Sequence, residues 1–230
     1  MANLVPVTFT RHGQKLLLPR SSWAFAANQQ AVALLVSEFP LAAHHLPIFF
    51  IRLNDKFTPA ALLGLQRNTN AMIDSDGKWL GDYIPAILRR HPFVLIRKEK
   101  DSDDFVLCVD EESGMLVDSG GDPLFTADGQ QAPALARAMK FSEEYLKQSY
   151  AGERFCELLA EHGLLAPLVI KRGGEDVRLD GINTIDEQKF NALADEAFLK
   201  LRSAGVLSAI YAHFFSLRQI RKIQGLGARG

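Results

Sequence analysis

Hydrophobic residues change their spacing about halfway along the chain, and this change limits the folds that the chain can adopt. Over residues 1–110 the apolar residues form short runs with many β-branched and aromatic side chains, such as LPIFFIRL at 46–53. Runs of this length and composition predict buried strands. Over residues 133–163 apolar residues recur at helical spacing, which predicts one or two amphipathic helices. The sequence therefore predicts an α+β fold, in which an antiparallel β-rich N-terminal half packs with a helix-rich C-terminal half.

Turn-forming residues fill the stretch between these two halves. Residues 111–131 are rich in Gly, Asp and Ser, a composition that marks surface loops. A length of 230 residues suits one large domain or two small ones. We expect one domain over residues 1–230, which is β-rich over 1–110, a loop over 111–132 and mainly helical over 133–230.

Three local motifs predict paired strands. Residues 93–97 and 105–109 are short apolar runs joined by a charged loop, and we expect them to form an antiparallel pair. Asp-Gly at 76–77 readily supplies a positive φ and predicts a hairpin between its flanking residues. We expect another hairpin from residues 168–171 and 177–179 around Gly173-Gly174.

Helix-start and helix-stop residues predict the shorter helices. Residues 83–91 are expected to form a helix with Pro85 in its first turn, where a missing N–H costs little. Thr184, with Glu187 three positions later, has the capping-box pattern and predicts a helix over 186–193. Two further segments follow, a helix over 195–204 and then a last helix, or a strand running into one, over 206–223.

The sequence contains no stretch of the roughly 20 uninterrupted apolar residues that a membrane-spanning helix needs. The opening residues, MANLVP, lack the basic and apolar regions of a secretory signal peptide. The two cysteines, Cys108 and Cys156, fit neither a metal site nor a disulfide framework, and we expect both to be buried and reduced. These features predict a soluble, cytoplasmic protein with no membrane span.

The charge of the chain gives it no overall attraction for nucleic acid or for anionic membranes, because the formal net charge is −1. Apolar residues make up 47% and charged residues 23%, which excludes a disordered chain. The basic residues near the C-terminus form a short tail without interleaved aromatic residues after Phe215. We therefore expect no nucleic-acid partner.

The standard motifs of catalysis and cofactor binding are missing from the sequence. It contains neither a G-x-x-x-x-G-K-[ST] phosphate loop nor a G-x-S-x-G nucleophile motif. His44 and His45 are the only cluster among six histidines, and adjacent side chains of a helix or strand point to different faces. A loop would allow them to chelate together, but we favour a solvated or hydrogen-bonded role. We expect no cofactor and no metal.

Three residues are candidates for acid–base chemistry. His213 lies within the apolar run IYAHFFSL at 210–217, and a buried histidine must pair its ring nitrogens. We favour a hydrogen-bonded core histidine, with a general base or ligand contact as the alternative. Asp110 and Glu111 follow the strand predicted over 105–109. Carboxylates at a strand end can act as acid or base, although a solvated loop entry is the commoner role.

Arg89 and Arg90, close in sequence to Trp79 and Tyr83, are the strongest candidates for a binding surface. Arginine and aromatic side chains anchor interfaces, and guanidinium groups bind carboxylates and phosphates. The alternative is that both arginines compensate the dipole of the predicted helix and pair with nearby acids.

Several blocks of sequence, in this order, resemble the bacterial SapC family. The resemblance extends over nearly the whole chain and consists of ALLGL at 61–65, NAMIDSDGKW at 70–79, YIPAILRRHPF at 83–93, LCVDEES at 107–113, GDPLFTADG at 121–129, LDGINTIDE at 179–187 and GVLSAIYAHFFSL at 205–217. The family is a conserved bacterial domain of undefined biochemistry. The resemblance implies an accessory role linked to substrate uptake, surface-layer export or modification. It implies no catalytic residue.

We therefore expect a non-catalytic accessory or binding protein whose partner is another protein or a small-molecule or peptide ligand. The candidate contact residues are Trp79, Tyr83, Arg89, Arg90, Asp110, Glu111 and His213. The alternative is an enzyme, or an enzyme subunit, that acts on a small metabolite or peptide. That alternative requires Asp110 or Glu111 to share a pocket with His213.

Overall fold

A computed structural model of the chain describes residues 3–53, 56–99, 102–172 and 174–227. The strands are β1 (Leu4–Pro6), β2 (Leu16–Leu17), β3 (Ala31–Ala33), β4 (Ile48–Leu53), β5 (Lys56–Leu62), β6 (Phe93–Arg97), β7 (Phe105–Asp110), β8 (Leu116–Val117), β9 (Asp122–Pro123), β10 (Leu165–Arg172) and β11 (Glu175–Ile185). The α-helices are α1 (Phe9–His12), α2 (Phe39–Ala42), α3 (Ala86–Arg89), α4 (Pro133–Glu161), α5 (Glu187–Asn191), α6 (Asp195–Ser203), α7 (Leu207–Ser216) and α8 (Ile220–Gly227).

The strands pair antiparallel in three sheets, with the orders β10-β11-β4-β5-β3, β1-β7-β6 and β8-β2-β9. In the second sheet β6 and β7 pair with Phe93 opposite Val109, which confirms the predicted pair of strands. Antiparallel sheets lie mostly in the N-terminal two-thirds and helices follow them, so the predicted α+β class is confirmed.

The largest sheet takes strands from both halves of the sequence. Strand β11 pairs with β4 through Ile182 opposite Ile51 and Asn183 opposite Phe50. The predicted hairpin is formed by β10 and β11, with Arg172 opposite Glu175, although Gly173 at its turn lies outside the described residues. The sheet therefore depends on contacts between residues more than 120 positions apart in the chain.

Helix α4 is one helix of 29 residues that connects two hydrophobic cores. It begins at Pro133, a residue whose missing N–H and fixed φ suit the first helical position. Near its start, Leu135 packs with the core under the β1-β7-β6 sheet. Near its end, Phe155 and Leu159 pack with the main core, which also holds Phe50 of the five-stranded sheet.

The helix predicted over 83–91 is shorter in the structure. Helix α3 covers Ala86–Arg89, and Pro85 is its N-cap rather than a residue of its first turn.

Two further local predictions differ from the structure. The N-cap of α5 is Asp186, whose carboxylate accepts the backbone N–H of Lys189 at 3.0 Å, so the predicted Thr184 cap is wrong. The nearer acceptor wins because Asp186 directly precedes the first helical residue. The second difference is at 206–223, where α7 and α8 are separated by a 3₁₀ turn over Leu217–Gln219.

The prediction that both cysteines are buried is confirmed. Cys108 and Cys156 are buried and free, and burial raises the pKa of the Cys156 thiol to about 12. Among the helices that the structure describes, none is both long enough and apolar enough to span a bilayer.

Candidate functional site

Four arginines line one cavity of about 380 Å³, which we call the arginine pocket. Arg20 lies shortly after β2, Arg89 ends α3, Arg90 follows it, and Arg137 lies in the second turn of α4. Asp122 of β9 is the one carboxylate among the described residues that line the cavity. The pocket therefore collects cations from three separate segments of the chain.

Arg20 is held by aromatic rings and by one backbone carbonyl. Its guanidinium carbon lies 4.8 Å from the ring centroid of Trp23 and 5.3 Å from that of Phe25. Its Nη2 donates to the carbonyl oxygen of His91, whereas its Nη1 is buried with no hydrogen-bond partner among the described residues. Burial lowers the pKa of Arg20, because no acid offsets the loss of water.

Arg90 is the second cation of the pocket that is half-buried without a carboxylate. Its guanidinium carbon lies 4.4 Å from the ring centroid of Tyr145, a cation–π contact. Burial lowers the pKa of Arg90 as well. A cation removed from water is costly unless an anion faces it, and no described carboxylate forms an ion pair with Arg20 or Arg90.

Arg89 and Arg137 are more exposed and have distant acids. The Nη2 of Arg89 lies 3.7 Å from Glu38 Oε1, and that of Arg137 lies 3.6 Å from Asp122 Oδ2. Their side chains are 45% and 69% exposed. Both ion pairs are longer than a hydrogen bond and both guanidinium groups are substantially exposed, so each retains N–H groups that a bound anion can reach.

His91 adds no positive charge to the pocket near neutral pH. Its ring stacks on Phe25 with centroids 3.9 Å apart and planes tilted by 10°. Burial, and then the positive charge of Arg20, lower the pKa of His91 to about 4. The potential of the pocket is therefore set by four guanidinium groups against one carboxylate.

Of the two aromatic residues that the sequence grouped with these arginines, Tyr83 lies beside a buried carboxylate, whereas Trp79 packs against Trp23 with ring centroids 6.3 Å apart. The indole N–H of Trp79 donates to the carbonyl of Tyr83 at 3.0 Å, and Trp79 is itself buried. The hydroxyl of Tyr83 donates to Glu38 Oε1 at 2.5 Å. Arg89 is the residue that lines both the arginine pocket and a neighbouring cavity with Tyr83.

Glu38 is only 5% exposed, and its carboxylate accepts hydrogen bonds on both oxygens. The backbone N–H of Leu35 donates to Oε2 at 2.9 Å, and that of Ala86 donates to Oε1 at 2.7 Å beside the Tyr83 hydroxyl. We call Glu38 and these three donors the Glu38 centre. Burial and the Glu38 carboxylate both raise the pKa of Tyr83, so its hydroxyl stays protonated as a donor.

Asp110 and Glu111 are occupied by contacts within the fold. Asp110 Oδ1 accepts from the backbone N–H of Asn3 at 3.0 Å and from that of Glu112 at 3.2 Å. Arg11 donates to both oxygens of Glu111 at 2.6 Å, and His12 Nε2 lies 3.2 Å from Oε1. The hydrogen bonds from Arg11 lower the pKa of Glu111. These two carboxylates therefore fasten the N-terminal segment to the end of β7.

His213 is completely buried and bonds to β11. Its Nε2 accepts from the backbone N–H of Ile185 at 3.1 Å and lies 2.9 Å from the hydroxyl oxygen of Thr184. Burial lowers the pKa of His213 to about 4. Its contacts do not converge with those of Asp110 and Glu111, which pair with residues near the N-terminus.

A larger cavity of about 890 Å³ lies between α4 and the segment that joins α6 to α7. Its charged lining residues are Lys147, Arg154, Glu157 and Glu161, so cations and acids are balanced. It contains none of the buried unpaired side-chain atoms found among the described residues. This cavity shows less preference for a charged ligand than the arginine pocket does.

The sequence analysis named two of the four arginines that line the arginine pocket. Arg89 and Arg90 were candidates because they adjoin aromatic residues, but no spacing links them to Arg20 or Arg137. Close to Arg20, the sequence offers only Pro19 before it and Trp23 after it, and these neighbours do not indicate a site by themselves. Glu38 had no distinguishing pattern in the sequence.

Within the part of the chain that the structure describes, no three His, Cys, Asp or Glu side chains are grouped to hold a metal ion. No curated protein and no solved structure matches the chain. The family described as SapC matches residues 7–223, a range that includes the whole arginine pocket and the Glu38 centre. The chain therefore belongs to the SapC family.

Proposed function

We propose that the chain is a non-catalytic binding protein that holds an anionic ligand in the arginine pocket. The observation that supports this most directly is the pair Arg20 and Arg90, two half-buried cations with no carboxylate partner among the described residues. An anion bound in the cavity that both residues line would supply the missing negative charge.

The geometry of guanidinium groups favours carboxylate or phosphate as the anionic group. Each guanidinium presents parallel N–H donors that match two oxygens of a carboxylate or a phosphate. The stacked rings of Trp23, Phe25 and Tyr145 fix the planes of Arg20 and Arg90 in advance, which reduces the entropy lost on binding. Partial burial also strengthens each charge–charge contact.

The lining residues favour binding over catalysis. No serine, threonine, cysteine or lysine is among the described residues that line the pocket. Its one histidine is stacked on Phe25, and its pKa is lowered to about 4. A pocket that has cations and lacks a nucleophile beside a base is suited to holding an anion. Such a role is compatible with the accessory function in uptake, export or modification that the family resemblance implies.

The test compares anion binding by two double variants. In Arg20→Met with Arg90→Met, the long apolar side chain is retained and two charges are lost. In Arg221→Met with Lys222→Met, the same charge is lost from exposed positions of α8. Citrate and phosphate binding is measured by isothermal titration calorimetry at constant ionic strength.

We expect the pocket variant to lose at least tenfold in affinity, because each charge-assisted hydrogen bond contributes about 1.5–3 kcal/mol. We expect the α8 variant to bind within a factor of about two of the original protein, since screening weakens distant surface charges. Equal affinity of the original protein and the Arg20/Arg90 variant, or no binding of either anion by the original protein, would contradict the proposal.

A further inference from the structure

We infer that the ligand of the arginine pocket is an organic anion that carries an apolar chain or ring, rather than a small inorganic anion. This inference rests on the proposed function of the same pocket. It comes from the part of the lining that the arginines do not cover, which is almost entirely apolar: Leu17, Leu18, Phe93, Met115, Ala138 and Phe141.

These apolar residues come from several elements that face one cavity. Leu17 is the last residue of β2, Leu18 follows it, and Met115 lies just before β8. Ala138 and Phe141 are three positions apart on α4, so they lie on the same face of that helix. Five of the six are half-buried rather than fully buried, which leaves part of each side chain available to a ligand.

The cationic and apolar parts of the pocket are in contact. The guanidinium carbon of Arg89 lies 5.4 Å from the ring centroid of Phe141. Arg137 and Ala138 of α4 both line the cavity. A ligand whose charged group binds the arginines would therefore place its next atoms against the α4 wall.

The volume of the cavity also favours a ligand larger than an inorganic ion. About 380 Å³ lies within the range of about 300–1,000 Å³ that small-molecule sites occupy. A phosphate ion would displace only a few waters, each with a share of about 30 Å³ in the liquid. The remaining water would lie against apolar side chains, where replacing it by hydrocarbon is favourable.

The head group of the ligand can be a carboxylate or a phosphate, and the carboxylate can belong to a simple acid or to a peptide C-terminus. All of these share an anionic group joined to an apolar portion. The experiment distinguishes them by using straight-chain carboxylates, alkyl phosphates, and a short peptide that ends in leucine as the free acid or as the amide.

The main measurement is affinity along the series butyrate, hexanoate and octanoate, by calorimetry at fixed ionic strength. We expect each added methylene to raise the affinity about fourfold until the cavity is filled. Octanol, which has the chain without the charge, should bind at least tenfold more weakly than octanoate. The peptide amide should lose affinity relative to the free acid if the peptide C-terminus is the source.

A filling variant, Ala138→Met, tests the apolar wall separately from the charges. We expect it to lower octanoate affinity at least fivefold and to change phosphate affinity less than twofold, with the thermal unfolding temperature measured to verify folding. Hexyl phosphate in place of hexanoate shows which head group binds more tightly.

The outcomes distinguish this inference from the proposed function. If phosphate or butyrate binds through Arg20 and Arg90 but octanoate binds no more tightly, the apolar ligand class is wrong and the anion site stands. If no anion binds, or if the Arg20/Arg90 double variant binds octanoate with unchanged affinity, both proposals fail. A rising affinity that depends on chain length and on both arginines supports the inference.

Discussion

The Glu38 centre and the arginine pocket adjoin each other at Arg89, but they differ in whether the chain itself supplies partners for the buried charge. Glu38 is surrounded by donors that belong to the chain, two backbone N–H groups and the Tyr83 hydroxyl, all within 2.9 Å. In the arginine pocket four cations face one carboxylate, and one guanidinium nitrogen of Arg20 has no described partner.

This difference distinguishes a buried charge that stabilises the fold from the charges to which we assign ligand binding. A buried charge whose partners come from the same chain contributes to the fold, and removing it leaves unpaired donors. A half-buried charge without such partners weakens the fold slightly and gains most when a ligand of opposite charge arrives. The two regions should therefore respond differently to substitution.

The largest effect is expected for Glu38→Ala. The change leaves the N–H groups of Leu35 and Ala86 and the Tyr83 hydroxyl without their acceptor, so we expect a loss of about 4 kcal/mol in the free energy of unfolding. Urea unfolding measures this loss, with exposed Glu157→Ala as the matched control. A loss below about 1 kcal/mol would remove the distinction between the two regions.

His213 provides the next largest effect. The contacts of its Nε2 are made within the chain, while its Nδ1 is buried without a described partner. Its pKa is about 4 in the folded protein against an ordinary value of 6.5. The unfolded chain therefore binds more protons between these values, and stability present above pH 6.5 is lost as the pH falls towards 4, by about 3 kcal/mol.

The measurement for His213 is the urea unfolding free energy at several pH values in this window. His213→Gln should show a smaller loss on acidification than the original protein. His44→Gln, which changes an exposed histidine, is the control. Parallel pH dependence in the original protein and in His213→Gln would disprove the assignment.

A smaller effect is expected for Glu111→Gln, which breaks an ion pair at an exposed site. Because Arg11 lowers the pKa of Glu111, the carboxylate stabilises the fold above its ordinary pKa of 4.5 and loses that contribution as the pH falls below it. The variant should have a slightly lower thermal midpoint at pH 7 and the same midpoint as the original protein at pH 2. A difference that persists at pH 2 would point to a role other than charge.

The smallest effect on stability is expected for Arg90→Met. The substitution removes a desolvated cation and its contact with Tyr145 but keeps an apolar stem of similar length, so the two contributions nearly cancel, within about 1 kcal/mol. Urea unfolding with Arg137→Met as the exposed control measures it. A loss as large as that of Glu38→Ala would mean that Arg90 stabilises the fold and would remove it from the proposed binding site.

The spacing of apolar residues along the chain was sufficient to predict those strands and helices whose formation depends on neighbouring residues. Short apolar runs predicted β6 and β7, and helical periodicity predicted α4, because both patterns follow from burial of apolar side chains against a core. Composition likewise predicted two buried thiols. Arg89 and Arg90 were identified because they adjoin each other in sequence beside aromatic residues.

The tertiary structure decided what these elements bring together. It joined β11 to β4, buried Glu38 beneath Tyr83, turned Thr184 towards His213 instead of the helix start, and placed Arg20 and Arg137 around Arg90. Such contacts depend on how sheets and helices pack, and packing is a property of the whole chain. For this reason the sequence alone determined the α+β class and named two of the arginines that line the pocket, whereas the excess of positive charge in that pocket emerged only on folding.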